Sequence, residues 1–566
     1  MRERIPTRLV DYALLLSVAA ALTLPNLGAS SLWDVDEGVN AEASREMREA
    51  GTWVIPTFNF ELRTAKPVML YWLQRTSYAA FGISEWSARL PSVLAGWLTI
   101  LLVYELSRRM FGRSTGLLAG FVLASAIEFC VLAHAATPDA SLLFFTVLGF
   151  YLFWIGHENG GRRWWVPTAA ACGLAMLTKG PVGVALPGLV IVLYFAWNRE
   201  LGRLWDRRLL WGVLAFGLVA GPWYGMVAAE TRGVWVKAFF VNENVNRAIT
   251  SMEDHDGPVF YHAAALLVLF APWSIFLGAA VWYGVKAARS PSPGTAVPGL
   301  SDCSDCRPYR FLVCWFAAYL VFFSLVRTKL PNYLLPLYPA LAILTARFLV
   351  RWRETEITPR RWVMTGSVCG MLLVALGAGG GLLAAGGAVP IPSMRTFPGL
   401  ERWAVLALVP LVGAGLMLWH LRMGNRRRFV TAMTGVSLLF VGLLAAFPSG
   451  AMDAYKAPRE LVRASGVADP TRDLRVAAYD WFQPSVVFYA QREVEKLPSP
   501  EMAAAFLAVP TPGYLFVTEE TWNAWLKDKV SVPHREVARH FDFYRNCQVL
   551  VITNQMGIEG VASRQP

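Results

Sequence analysis

Apolar runs of bilayer length, separated by short polar loops, recur along most of this chain and leave few folds open to it. Residues 10–27, 117–133, 209–227, 363–385 and 429–447 are examples. A helix needs about 20 apolar residues to cross a hydrocarbon core of about 30 Å. Backbone N–H and C=O groups find no water there, so a spanning run is a helix or part of a closed barrel. Unbroken apolar runs select the helix, and about thirteen of them approach the required length. With 55% hydrophobic and 16% charged residues, the chain is too apolar for a soluble globular protein.

The net charge of +12 invites a nucleic-acid reading, which the distribution of basic residues excludes. They cluster in alternate loops: Arg108, Arg109 and Arg113; Arg199, Arg203, Arg207 and Arg208; Arg351, Arg353, Arg360 and Arg361; Arg422 and Arg426 to Arg428. Such alternation marks cytoplasmic loops. An odd number of crossings from a cytoplasmic N-terminus then places residues 450–566 outside the cytoplasm. In that segment "LRVAAYD", "SVVFYAQ", "GYLFVTEE" and "QVLVITNQ" read as strands and "TWNAWLKDK" as a helix. The expected architecture is an α-helical polytopic membrane domain, residues 1–449, followed by a small soluble α/β domain, residues 450–566. Seven scattered cysteines give no disulfide framework, and the CxxC of Cys303 and Cys306 has no second pair to complete a zinc site.

Sorting by side gathers the chemistry on the outer face. The first outer loop, residues 28–90, holds "LWDVDEGVNAEASREM" with Asp34, Asp36, Glu37 and Glu42, then Lys66 before Pro67. "HAATPDA" carries His134 and Asp139, "TKGP" carries Lys179, and "NENVNRAI" carries Arg247. "HDGP" brings His255 and Asp256, and "RTKLPNYLLPLYP" brings Lys329 and Tyr333. Lys66, Lys179 and Lys329 each precede a proline that can open a helix, and a helix N-terminus beside a lysine suits a phosphate. Contact with lipid headgroups is the plainer reading of each lysine. Asp34 or Asp36 could equally cap a helix through "EGVNAEASREMREA" ended by Gly51, an amphipathic helix able to lie on the membrane. Glu128, inside an apolar run, is expected to face a polar cavity.

These motifs resemble a family. "DEGVNAEASREM", "AKPVMLYWLQ", "ARLPSVLAG", "TPDASLLFF", "TKGP", "NENVNRA" and "KLPNYLLPLYPALA" stand in the order found in polyprenyl-phosphate-sugar-dependent membrane glycosyltransferases of the GT-C superfamily. The lipid A aminoarabinose transferases are the nearer group and the protein O-mannosyltransferases a more distant one. The resemblance spans roughly residues 1–450. It implies inverting sugar transfer from an undecaprenyl-type phosphate carrier to a lipid, glycan or protein, at the outer face of a bacterial inner membrane. It assigns Asp36 as the catalytic carboxylate, supported by Glu37, with Asp139 a second acid near the site. Lys66, Tyr333 and Arg247 become contacts of the carrier phosphate, joined on the lysine–proline pattern by Lys179 and Lys329.

The sequence departs from the aminoarabinose type. Those members carry a metal-binding acid directly before the lysine, where this chain has Ala65, so a divalent metal is left open. They carry Arg and Tyr at the places of Val39 and Asn40, and His at that of Asn244, so the sugar is left unassigned. With no P-loop or GxGxxG in sight, no nucleotide cofactor is expected. A lipid or sugar transporter is the rival reading, and it calls for charges spread through the membrane depth and repeated halves. This chain concentrates its charges on one face.

Overall fold

The computed structural model describes residues 5–158, 164–250, 256–289, 306–392 and 394–556. His255 and Cys303 lie outside the described residues. The first half runs α1 (Ile5–Thr23), α2 (Asp36–Glu49), a β1/β2 hairpin (Thr57–Phe58 and Glu61–Leu62), α3 (Met69–Phe81) and α4 (Glu85–Phe111). It continues through α5 (Arg113–Ala124), α6 (Ile127–His134), α7 (Asp139–Glu158), α8 (Trp165–Lys179), α9 (Val182–Trp197) and α10 (Leu209–Glu230).

Among the described residues eight helices are long and apolar enough to cross a membrane, or ten if each of two bent pairs is one span. The expected thirteen is a finer count. Some of its runs form short helices such as α9, with 16 residues, and α5 and α6 meet at 65°. The other bent pair, Tyr261–Leu269 and Trp273–Arg289, turns through 119°. The two breaks face each other: Ile127 N–H donates to the Ala271 carbonyl at 3.1 Å, and Trp273 Nε1 donates to Ser125 Oγ at 2.9 Å. Each break thus supplies partners for polar groups that the other frees, as interrupted helices at membrane depth require. The Tyr338–Arg353 helix runs through the middle of the bundle, almost wholly buried.

The acid-rich helix α2 differs from the expectation. Val35 occupies the N-cap with no side-chain cap bond, and Asp36 is the first helical residue. Gly51 follows the end in a left-handed conformation, φ 68°, as its position suggested. The helix does not lie flat on a surface: Glu37 through Met47 are all buried. Its charges pair internally instead. Arg45, 0% exposed, reaches Glu42 at 2.6 Å and Glu49 at 2.5 Å, while Glu46 accepts from Phe60 N–H. Polarity that reads as solvent exposure is here a buried, paired network.

At the C-terminal end five strands form one sheet, ordered β4-β3-β5-β7-β6. They are β3 (Arg475–Tyr479), β4 (Glu495–Leu497), β5 (Gly513–Thr518), β6 (Arg535–Asp542) and β7 (Cys547–Thr553). β3 pairs parallel with β4 and β5, and β7 pairs antiparallel with β5 and β6. Three of the expected strands lie in β3, β5 and β7. "SVVFYAQ" does not: Pro484–Ala490 is a helix. Parallel neighbours need a crossover, and Pro484 in the first helical turn favours it over the β-branched propensity of the two valines.

Candidate active site

Two cavities lie near the segment that joins α1 to α4. The first, about 470 Å³, is lined by Lys66, Asp139, Lys179, Glu243, Arg247 and Tyr333 on its polar side. Leu142, Phe239, Phe240, Phe322, Phe323 and Val326 form much of its apolar wall. A volume of this order fits a small-molecule site. Its form, cationic at one part and apolar along the rest, suits an amphiphile with an anionic head.

Lys66 is held in the segment leading to α3. Its ammonium makes no hydrogen bond among the described residues. Burial pushes it down to about 8, and the charges of Lys179 and Arg247 act in the same direction, opposed by Glu243 and Asp36. Lys179 and Arg247 are each offset by an acid, Asp139 and Glu243, while Lys66 has no ion-pair partner among the described residues, a state that an anion relieves. Lys179, the last residue of α8, donates to Asp139 Oδ1 at 2.5 Å and stands 5.3 Å from the Tyr333 ring centroid. Asn332 Nδ2 also donates to that carboxylate oxygen at 3.3 Å. Arg247 pairs with Glu243 at 3.1 Å. Between α8 and α9, Gly180 takes φ 79°, and an added Cβ would strike the Phe239 ring. That glycine lets the chain turn beside Lys179.

The second cavity, about 500 Å³, is lined by Trp33, Asp34, Asp36, Glu37, Arg89 and His134, with Cys130, Val131, Val441 and Leu444 on its apolar side. Asp36 is exposed within it and has no hydrogen-bond or ion-pair partner among the described residues. Its charge nonetheless reaches Lys66 and Lys179 in the first cavity. Asp36 is thus a free carboxylate on one side of a cationic cluster.

Glu37 is different. Arg89 grips it through Nε at 2.9 Å and Nη2 at 2.7 Å, and the N–H groups of Trp33 and Ala136 donate to it at 2.8 and 2.7 Å. Burial by itself would raise its pKa, but these donors outweigh it and hold the carboxyl below the usual range. With four donors already bound, Glu37 orients the loop.

Lys329 also departs from its expected place. It is buried, and its Nζ donates to the carbonyls of Phe323, Ser324 and Val326, at 3.2, 2.6 and 2.6 Å. It satisfies the end of the Arg307–Leu325 helix and does not line the first cavity. Glu128 is buried at 4% exposure beside Tyr338 and lines neither cavity. Arg89, Asn332 and Glu243 went unassigned in the sequence. Arg89 alone carried a signal, as a charge at the mouth of an apolar run.

The comparisons with known proteins follow this geometry. The family described as "Dolichyl-phosphate-mannose-protein mannosyltransferase" matches residues 65–224. An uncharacterized protein of Aquifex aeolicus is 35% identical over 57% of this chain and 69% of its own length. The undecaprenyl phosphate-alpha-4-amino-4-deoxy-L-arabinose arabinosyl transferase of Erwinia tasmaniensis is 33% identical over 59% of each chain. The crystal structure of ArnT from Cupriavidus metallidurans bound to undecaprenyl phosphate superposes with a TM-score of 0.79 at 25% identity, over 99% of this chain and 100% of that one. By these matches the chain is similar to the polyprenyl-phosphate-sugar-dependent membrane glycosyltransferases. It spans less than two thirds of several curated relatives, 59% of the Erwinia transferase and 64% of another Aquifex aeolicus protein. Among the described residues no group of three or more His, Cys, Asp or Glu could hold a metal ion. Ala65 lines the first cavity beside Lys66 and contributes no ligand. The carboxylates that line this cavity, Asp139 and Glu243, are each paired with a cation.

Proposed function

We propose that this protein transfers a sugar from a polyprenyl phosphate carrier to a hydroxyl of a lipid, glycan or protein acceptor. The site faces the outer side of a bacterial inner membrane. The observation that carries this reading is the convergence of Lys66, Lys179 and Arg247 at the polar side of an apolar-walled cavity. The named activities of the Erwinia and Cupriavidus relatives support the carrier class. The alternating basic loops support the outer face, and with it an outer position for residues 450–566.

In the reaction the acceptor oxygen forms a bond to the anomeric carbon as the bond from that carbon to the phosphate oxygen breaks. The carrier leaves as a phosphate monoester, taking the electron pair, and the cationic cluster stabilises the charge that develops on it. The acceptor proton passes to the Asp36 carboxylate, which is unpartnered and therefore able to accept it. Asp139 fixes Lys179 through their ion pair. Attack from the side opposite the leaving phosphate inverts the anomeric centre, with no covalent intermediate on a second carboxylate.

The test uses purified protein and polyprenyl phosphate. Lys66→Ala should weaken carrier binding at least ~10-fold, the loss of one charge-assisted contact. Unchanged carrier affinity would sink the assignment of the first cavity.

A further inference from the structure

The backbone directly before Asp36 is held from the C-terminal sheet region. Ser31 N–H donates to Asp453 Oδ1 at 2.8 Å, and Leu32 N–H donates to Tyr489 Oη at 2.8 Å. The Trp33 ring lies 3.8 Å from Lys456 Nζ and 5.8 Å, edge-on, from the Phe543 ring. Asp34 N–H donates to Tyr544 Oη at 2.9 Å. The Asp34 carboxylate accepts from Ser485 N–H at 2.8 Å and, by a shorter contact, from Ser485 Oγ. Four consecutive residues are thus gripped, and Val35 and Asp36 follow exposed.

The place of Ser485 in its sheet has meaning. From β3 the chain crosses to β4 on one side, while β5 lies on the other side of β3. The carboxyl ends of β3 and β5 therefore form a topological switch point, where open α/β sheets take their ligands. Here the first turn of the Pro484–Ala490 helix, which follows β3, takes a carboxylate from the same chain. Gly38 closes the contact: a Cβ there would strike Asp34 Oδ1 and come within 2.7 Å of Ser485 N.

We propose that the Asp34–Ser485 clasp is a positioning device, through which the C-terminal sheet region sets the place of the Asp36 carboxylate. Asp34 acts by accepting hydrogen bonds, where Asp36 acts by its charge. This rests on the reading of Asp36 as the base.

The two aspartates respond differently to the same exchange. In Asp34→Asn the amide oxygen still accepts from Ser485 N–H and the amide N–H₂ donates to Ser485 Oγ, so the clasp survives. In Asp34→Ala both bonds are lost, whereas in Ser485→Ala only the Oγ bond goes and the backbone N–H still donates to Asp34.

The experiment measures transfer from a polyprenyl-phosphate sugar by purified full-length variants. Hydrogen exchange of residues 31–38 is read alongside. Asp34→Ala should lower kcat at least ~10-fold with donor KM within twofold, because the carrier contacts are untouched, and Ser485→Ala, which keeps one of the two bonds, should fall between it and the parent. Both should speed exchange of residues 31–38. Asp34→Asn should keep kcat within about threefold of the parent and keep the protection, while Asp36→Asn loses transfer with protection intact. An Asp34→Asn variant as inactive as Asp34→Ala would overturn the clasp, since charge would then be what matters. Parental kcat in Asp34→Ala would overturn it as well. Retained transfer in Asp36→Asn would instead defeat the underlying reading of the base, and the exchange data would still decide whether Ser485 holds the loop.

Discussion

Removing the guanidinium of Arg89 should expose how the segment between α1 and α2 is held. Arg89 sits near the start of α4 with 3% exposure. Besides its two bonds to Glu37, it donates to the carbonyls of Leu27, Ser30 and Ser31 at 2.8, 2.8 and 2.9 Å. Arg89→Met retains much of the apolar stem but leaves a buried carboxylate without its cation and the Leu27 and Ser30 carbonyls without a side-chain donor, while the Ser31 carbonyl keeps Lys456 Nζ at 2.9 Å. Breaking one side of a buried pair costs about 3–5 kcal/mol. Glu37→Gln costs less, since its amide oxygen still accepts from Arg89 and a backbone N–H. In the double variant no unpaired charge remains, so it should be more stable than Arg89→Met alone. A coupling of about 0.5–3 kcal/mol is the usual range for contacting residues. The assay is thermal unfolding in one detergent at one scan rate, since membrane proteins often melt irreversibly. The order should run parent, Glu37→Gln, double variant, Arg89→Met. Additive losses, or an Arg89→Met variant that melts with the parent, would refute the claim that this pair anchors the loop.

Two further outcomes follow from the site and the topology. Lys66 must be charged to hold a phosphate and titrates at about 8 in the free protein, so carrier affinity should be full below that pH and fall as pH rises through it. Binding titrations between about pH 7 and 9.5, above the second phosphate ionisation near 6, should show the decline in the parent and a flat profile in Lys66→Ala. A reporter active only in the cytoplasm, fused after Pro566, should be silent; strong activity would place the site on the wrong side.

What the sequence made legible follows from range. Apolar runs and basic loops are local patterns, so the helical membrane fold could be read directly. Asp36, Lys66, Lys179, Arg247 and Tyr333 sit in motifs whose residue types state their chemistry. The structure places the three cations and Tyr333 around one cavity and Asp36 beside it. Lys329 shares the lysine–proline pattern but turns back to carbonyls of its own segment, a choice set by side-chain direction that spacing cannot show. Glu37 reads as one acid among several until Arg89, 52 residues away, is brought to it. Ser485 was the least visible, an ordinary serine after a proline, more than 400 residues from its partner. Helix α2 misled for a related reason. Charged residues read as solvent-facing unless their buried partners are known, and here Arg45 and Glu42 neutralise one another inside the protein.

The Glu37 carboxylate also touches Ala136 N–H, three residues before Asp139, whose partner is Lys179. One hydrogen bond therefore ties the turn carrying Asp36 to the segment before the pair that, under the proposed function, presents a cation to the phosphate. Under that proposal the gap between them works as a gauge that the donor sugar has to fit. Side-chain changes along the cavity walls can alter which hydroxyls are recognised, but they leave the gauge length unchanged. Admitting a longer donor headgroup, by evolution or by engineering, calls for resetting the Glu37 link itself.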